Sequence, residues 1–430
     1  MPVNILLINV HSYRNAGDAA VIDVAMEQLR TYFPGCRITL MMDDPPSYPG
    51  NEPTVVSLRC WLQLGRHWQI LRIAWLMLVT LIYMSSYKRF GEPLNILGSP
   101  ELTASLAAMV QADLIICTPG ENISSTSRST NLFLLTFTIF LALITRKPIY
   151  FLPQTFGPLK RKWQVWVIRN LLRRARLVLA YEPISFQNLL DWGVPALQCR
   201  LVPGLAYTSQ DVSTEQGRIW LRSMGIEMQN DRLLMGVTVM NWGAQNKGYG
   251  GQAVYERAIA ATMREFIQQT HGKAILLTQC WGPSGPEDDR IPARRVATSL
   301  AGLGDSVILA DYPLTAEKLK SILCHMSIFL GTRTHSNIFC LVNNIPGIAI
   351  RYDHTMAGFA QMVGVEQWVV DINRISEKEL VSKILDLCAN RESAIQSLKK
   401  KIPELSQQAS QIGALLAEDY SGLYQNISDA

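Results

Sequence analysis

Residues 328–350 read IFLGTRTHSNIFCLVNNIPGIAI, and this stretch decides the fold class. Ile328-Phe329-Leu330 contains no polar residue and stops at Gly331. A second apolar run opens at Gly347 and reaches Ile350. Runs this short and this apolar suit strands covered on both faces, as in a parallel sheet. The apolar residues 338–342 between them fit the helix of a βαβ crossover. Strands are therefore expected at 327–330 and 347–350. The segment also raises a chemical question, because Arg333 and His335 sit where the first strand ends.

The same pattern extends outward in both directions. Further strands are expected at 233–240, 274–278 and 307–310, with a helix at 315–326 whose Thr315 and Glu317 suit a helix start. Toward the N-terminus, strands are expected at 5–10, 114–117, 148–152 and 177–180, with a helix at 19–32. A polar stretch at 209–217 separates the two series. The fold class is therefore α/β, with two doubly wound parallel-sheet (Rossmann-like) domains facing a cleft. The expected divisions are an N-terminal α/β domain at 1–210, a C-terminal α/β domain at 230–390 and an amphipathic helical tail at 391–430.

The composition sets limits on function. The chain has 430 residues, 48% of them apolar and 17% charged, with a formal net charge of +5. Large cores are possible and wholesale disorder is excluded. Lys and Arg are not read as a nucleic-acid stripe, so nucleic acid is not an expected partner. The eight cysteines form no CxxC pair and no zinc-type cluster with histidine, so no metal is expected and a reducing compartment fits. The opening MPVNILLINVHS lacks a basic leader and reads as a first core strand. A cytoplasmic protein is expected, with an association at the inner face of the membrane left open.

Two apolar segments raise that membrane question. They are 73–84, IAWLMLVTLIYM, and 132–145, LFLLTFTIFLALIT. Arg66, Arg72, Lys88 and Arg89 flank the first, and Arg146 and Lys147 follow the second. Both are shorter than the roughly 20 residues needed to cross a bilayer. One reading makes them buried core helices. The other makes them an apolar surface that rests on anionic lipid.

In parallel α/β sheets, ligands bind beyond the carboxyl ends of the strands. Residues at such ends are the site candidates. After the first strand come Asn15, Gly17 and Asp18, where a helix start suits an anion and a carboxylate could take a proton or merely cap the helix. Glu121 and Asn122 follow the strand at 114–117, and Gln154 follows the strand at 148–152. Arg333 is a bidentate partner for carboxylate or phosphate, and His335 can transfer a proton near neutral pH. Gly331 and Ser336 flank them. With no acidic residue close by in sequence, an anionic ligand is the expected partner of Arg333. The pair is expected to face Asn15 to Asp18 across a gap that fits a small anion.

An ordered set of motifs then gives a resemblance. NAGDAAV (15–21), PQTFGP (153–158), EPISFQNLLDWGV (182–194), GVTVMNW (236–242), GTRTHSNIFCLVNNIPGIAI (331–350) and YDHTMAGFAQMVGV (352–365) together resemble the polysaccharide pyruvyl transferase family over most of residues 4–371. The resemblance implies a two-domain, GT-B-like enzyme that moves the pyruvyl group of phosphoenolpyruvate onto sugar hydroxyls of a cell-surface polysaccharide or its lipid-linked precursor, without a cofactor. It implies that the Arg-x-His element, Arg333 to His335, meets the donor in the C-terminal domain. The N-terminal domain, with Asn15, Gly17, Glu121, Asn122 and Gln154, would then hold the acceptor. His335 is the candidate acid and Asp18 the candidate base.

The chain departs from the family pattern at Tyr181 and Thr355, where basic residues are usual. Arg351 and His354 are candidates to compensate for the missing charge on the donor side. Two alternatives stay open, a GT-B-like glycosyltransferase that uses a nucleotide sugar and a non-catalytic subunit of glycan assembly. So does homo-oligomerisation.

Overall fold

A computed structural model describes residues 2–62, 69–94, 98–119, 123–125, 129–208, 213–227, 232–242 and 251–428. In chain order the elements of the first half are β1 (Asn4–Val10), α1 (Ala16–Tyr32), β2 (Arg37–Met42), β3 (Thr54–Val56), α2 (Leu58–Leu62), α3 (Gln69–Phe90), α4 (Pro100–Gln111), β4 (Leu114–Cys117), α5 (Ser129–Ile144), β5 (Ile149–Gln154), α6 (Lys162–Leu172), β6 (Leu177–Ala180), α7 (Pro183–Asp191) and β7 (Cys199–Leu201). The second half contains α8 (Thr214–Ser223), β8 (Leu234–Thr238), α9 (Gln252–Thr270), β9 (Lys273–Leu277), α10 (Arg290–Ser299), β10 (Val307–Leu309), α11 (Ala316–Leu323), β11 (Ile328–Gly331), α12 (Thr334–Val342), β12 (Gly347–Arg351), α13 (His354–Val363), β13 (Val369–Asp371), α14 (Glu377–Ala389), α15 (Arg391–Ser410) and α16 (Ile412–Ser428).

The elements form two compact units that are not continuous in sequence. One comprises residues 1–12, 25–202 and 411–430, and the other comprises 13–24 and 203–410. The first unit is built on a seven-stranded sheet in the order β3-β2-β1-β4-β5-β6-β7. All its pairings are parallel, for example Ile5 with Leu114 and Ile116 with Tyr150. The second unit is built on a six-stranded parallel sheet in the order β10-β9-β8-β11-β12-β13. Its strand order reverses between β8 and β11, the kind of position at which parallel α/β sheets collect ligands.

The predicted strands all appear, and each sheet is longer than the prediction. β3, β7 and β13 are three-residue edge strands, and β2 opens on Arg37 and is interrupted by Thr39, so its apolar run is only Leu40 to Met42. Local chemistry starts and stops the helices. Ser99 caps α4 by accepting from the Leu102 N–H, and Pro100 follows at its first position. Glu182 is fully buried because its carboxylate caps α7, accepting from Ile184 N and Ser185 N. α13 begins at Asp353, which accepts from Thr355 N, and ends at Gly364, whose φ of +76° suits glycine.

Each unit has its own core. The first packs Leu6, Ile115, Phe151 and Val178 of the sheet against Leu106, Leu135 and Leu172 of the helices. The second packs Met235, Leu276, Leu330 and Ile350 against Ile259, Phe266 and Leu380. The predicted tail is two helices. In the first unit, Asp419 of α16 accepts from the buried Tyr150 hydroxyl at 2.6 Å and from Arg176 Nη2 at 2.9 Å. In the second unit, Ser406 of α15 donates to the Tyr207 carbonyl at 2.9 Å. All eight cysteines are free thiols.

Candidate active site

β11 ends at Gly331, where Asn337 folds back and leaves no room for a side chain. A Cβ at position 331 would sit 2.5 Å from Asn337 Oδ1 and 2.2 Å from Phe329. The next residues turn the chain into α12, with Thr332 hydrogen-bonded to Tyr255 at 2.7 Å. Arg333 is the residue that caps α12 and is almost fully buried. Its Nε donates to Asp289 Oδ2 at 3.0 Å and its Nη2 to Asp289 Oδ1 at 2.6 Å. The Cys280 N–H donates to the same carboxylate at 3.0 Å.

This pair corrects the expectation that an anionic ligand would complete Arg333. The fork is already matched by a protein carboxylate that has no exposed side-chain surface. Burial opposes both charges, and it pushes the Asp289 carboxyl upward against the pull of Arg333. On Arg333, burial is outweighed by Asp289, which holds the guanidinium proton more firmly than usual. The direction that governs is the second, since arginine stays protonated and its bidentate partner is then a carboxylate.

His335, two residues on, stands in a continuous polar chain. Ser336 donates to Gln279 Oε1 through both N (3.1 Å) and Oγ (2.7 Å). Gln279 Nε2 donates to Asn15 Oδ1 at 2.9 Å, and Asn15 Nδ2 donates to Asp18 Oδ2 at 2.8 Å. Asp18 Oδ1 then lies 3.5 Å from His335 Nδ1. Residues 13–24 belong to the second unit, so the whole chain of contacts lies within it. The backbone fixes the same approach, because Ala16 N donates to the Gln279 carbonyl at 2.9 Å and Trp281 N to the Arg14 carbonyl at 3.0 Å.

Gly17 is required here. A Cβ would fall 2.5 Å from His335 Nδ1 and 2.6 Å from Gln279 Nε2. Asn15 to Asp18 therefore touch His335 directly, and the expected gap between them is closed. Burial lowers the His335 imidazole below its ordinary value, Asp18 pulls it up, and Arg333 adds to the fall. The side chain keeps 19% of its surface in solvent, which moderates that shift. An imidazole poised against a carboxylate can give a proton to a ligand and recover one from its neighbour.

The other predicted residues fall elsewhere. Arg351 ends β12, and its Nη2 is 2.5 Å from Asp371 Oδ2, so it is not the free cation expected to replace the missing charge. His354 opens α13. Thr355 is buried and its N–H is taken by Asp353. Gln154 ends β5 in the first unit and is fully buried, with its side chain against the Cys117 thiol. Glu121 and Asn122 lie outside the described residues.

Sequence reading passed over Gln279 and Asp289. Gln279 follows β9 by two residues, so the rule that ranked the other strand ends would have found it. It also passed over a cluster in the first unit, where β1 and β2 end. There His11 Nδ1 lies 3.1 Å and Arg59 Nη1 3.2 Å from Asp43 Oδ2. Burial would raise the Asp43 carboxyl, but His11 and Arg59 together hold it below its usual range. No group of three or more His, Cys, Asp or Glu side chains among the described residues is arranged to hold a metal ion.

The sequence profile described as polysaccharide pyruvyl transferase matches residues 15–354, which include every residue of the chain from Asn15 to Ser336. Amylovoran biosynthesis protein AmsJ of Erwinia amylovora is 22% identical over 285 residues, a match covering 61% of this chain and 63% of that protein's length. Among solved structures, Anabaena HepE in complex with UDP and glucose aligns with a TM-score of 0.56 at 13% identity, over 98% of this chain and 100% of that one. The UDP-GlcNAc 2-epimerase of Neisseria meningitidis bound to UDP-GlcNAc aligns with a TM-score of 0.56 at 11% identity, over 97% of this chain and 100% of that one. At these identities the structures establish a shared fold, the GT-B-like pairing of two parallel-sheet α/β units.

Proposed function

Because the chain belongs to the polysaccharide pyruvyl transferase family, we propose that it moves the pyruvyl group of phosphoenolpyruvate onto hydroxyls of a cell-surface polysaccharide or its lipid-linked precursor. The observation that carries this reading is the His335–Asp18 pair, held by Ser336, Gln279 and Asn15. The reaction requires a proton on the donor's methylene carbon and the loss of protons from two acceptor hydroxyls. His335 gives its proton to the methylene, which becomes a methyl group. An acceptor oxygen bonds to the neighbouring carbon, and its proton passes to Asp18 and back to His335 across 3.5 Å. A second hydroxyl closes the ketal as the carbon–oxygen bond to phosphate breaks, and its proton leaves with the phosphate.

The donor's carboxylate and phosphate would dock at the amino end of α12. Peptide N–H groups and the helix dipole favour anions there. The Arg333–Asp289 pair braces the turn that opens α12 rather than meeting the donor itself.

The test is phosphate release from phosphoenolpyruvate by the purified protein, across a panel of acceptor glycans. His335→Ala should lower turnover by about 10²–10⁴-fold while donor binding persists. Turnover of a nucleotide sugar without phosphoenolpyruvate binding would overturn the donor assignment. Full activity in His335→Ala would overturn the role of the pair.

A further inference from the structure

The proposed chemistry leaves one surface of the first unit unexplained. Helix α5 packs against α3 on one side and α6 on the other. All three helices bury one face in the core, through Leu76 and Val79, through Leu135 and Ile139, and through Ile168 and Leu172. Their other faces carry large apolar side chains into solvent. On α3 these are Leu71, Trp75 and Leu78, at 61%, 61% and 52% exposure. Their i, i+4, i+7 spacing makes a single stripe. On α5 they are Phe133 and Phe140, also two turns apart. On α6 they are Trp163 and Trp166, at 56% and 62% exposure. Soluble surfaces rarely gather this much aromatic and aliphatic area on neighbouring elements without a partner.

The charge around these helices identifies the partner. Residues 122–181 contain ten Lys or Arg and no Asp or Glu. Residues 60–91 contain four and again no acid. The whole chain has a net charge of only +5, so the positive excess is concentrated where the apolar faces are. Lys88 and Arg89 end α3, Arg146 follows α5, and Lys160, Arg161 and Lys162 lead into α6, all of them exposed. No helix among the described residues is long and apolar enough to cross a membrane.

Apolar side chains rich in Trp and Phe, edged by Lys and Arg, match the two layers of an anionic bilayer surface. The rings enter the boundary between acyl chains and headgroups, and the cations meet headgroup phosphates. From this juxtaposition we propose that the α3–α5–α6 face docks peripherally on an anionic lipid membrane. The proposal does not depend on the identity of the donor or acceptor.

The experiment is co-sedimentation of the full chain with vesicles of phosphatidylglycerol and phosphatidylcholine, against vesicles of phosphatidylcholine alone. Binding is expected to the anionic vesicles and to weaken with added salt. Trp163→Ser combined with Trp166→Ser should reduce binding by about tenfold or more. Lys160→Gln, Arg161→Gln and Lys162→Gln should each reduce it by about fivefold. Leu197→Ser, at a side chain 85% exposed outside these three helices, is the control and should bind as the parent does. Absence of binding to anionic vesicles, or equal loss in the control, overturns the proposal. So does concentration-dependent self-association that Trp163→Ser and Trp166→Ser abolish, without vesicle binding, since the face would then be an interface between copies of the chain.

Discussion

At the scale of single residues, the site rests on two charge pairs of different character. His335 and Asp18 are partly open to solvent, whereas Arg333 and Asp289 are shut away. The first pair sets a pH dependence. If His335 is the acid, its protonated form is the active one, and burial places its transition below the ordinary value of 6.5. Activity should therefore fall as pH rises toward 6.5. A kcat/KM profile should show that descending limb, and His335→Gln should abolish it. A limb that rises over the same range would instead make His335 a base. The second pair sets stability. Asp289→Ala leaves a buried guanidinium without its counter-charge, which should cost about 3–5 kcal/mol in urea unfolding. Replacing both Arg333 and Asp289 with apolar residues should cost less than removing Asp289 alone. A loss below about 1 kcal/mol for Asp289→Ala would show that the pair is not closed in solution.

At the scale of elements, close helix contacts turn ordinary propensity rules around. Gly217 lies in α8, where alanine would normally favour the helix by about 0.5–1 kcal/mol. α8 packs on α11, however, and a Cβ at 217 would meet the Ser321 carbonyl oxygen at 1.9 Å. A backbone atom cannot swing away as a side chain can. Gly217→Ala should therefore destabilise the protein by about 1–3 kcal/mol, the usual cost of overpacking. Thermal unfolding of this variant decides the matter, because propensity and packing predict opposite signs. The same contrast explains Gly17, where the obstacle is the imidazole of His335.

At the scale of the molecule, two sheets with separate cores make unfolding heterogeneous. Calorimetry should give a measured enthalpy larger than the van't Hoff value from a single transition, and a ratio of one would show that the two cores melt together. The division into two parallel α/β units was legible in the sequence because such strands are apolar along their whole length. Runs such as Ile5 to Ile8, Leu114 to Cys117 and Ile328 to Leu330 announce themselves without any knowledge of their neighbours. The edge strands β3, β7 and β13 did not, because three residues with one covered face carry no distinctive period. Arg333 and His335 were also legible, since the end of a parallel strand is a position that the chain itself marks. Their partners were decided by the tertiary structure alone. Asp289 precedes Arg333 by 44 positions, and Gln279 is separated from Asn15 by 264. Local pattern records what a residue needs, a counter-charge for Arg333 or a hydrogen-bond partner for Asn15. Which distant residue meets that need depends on how the folded second unit brings these residues together.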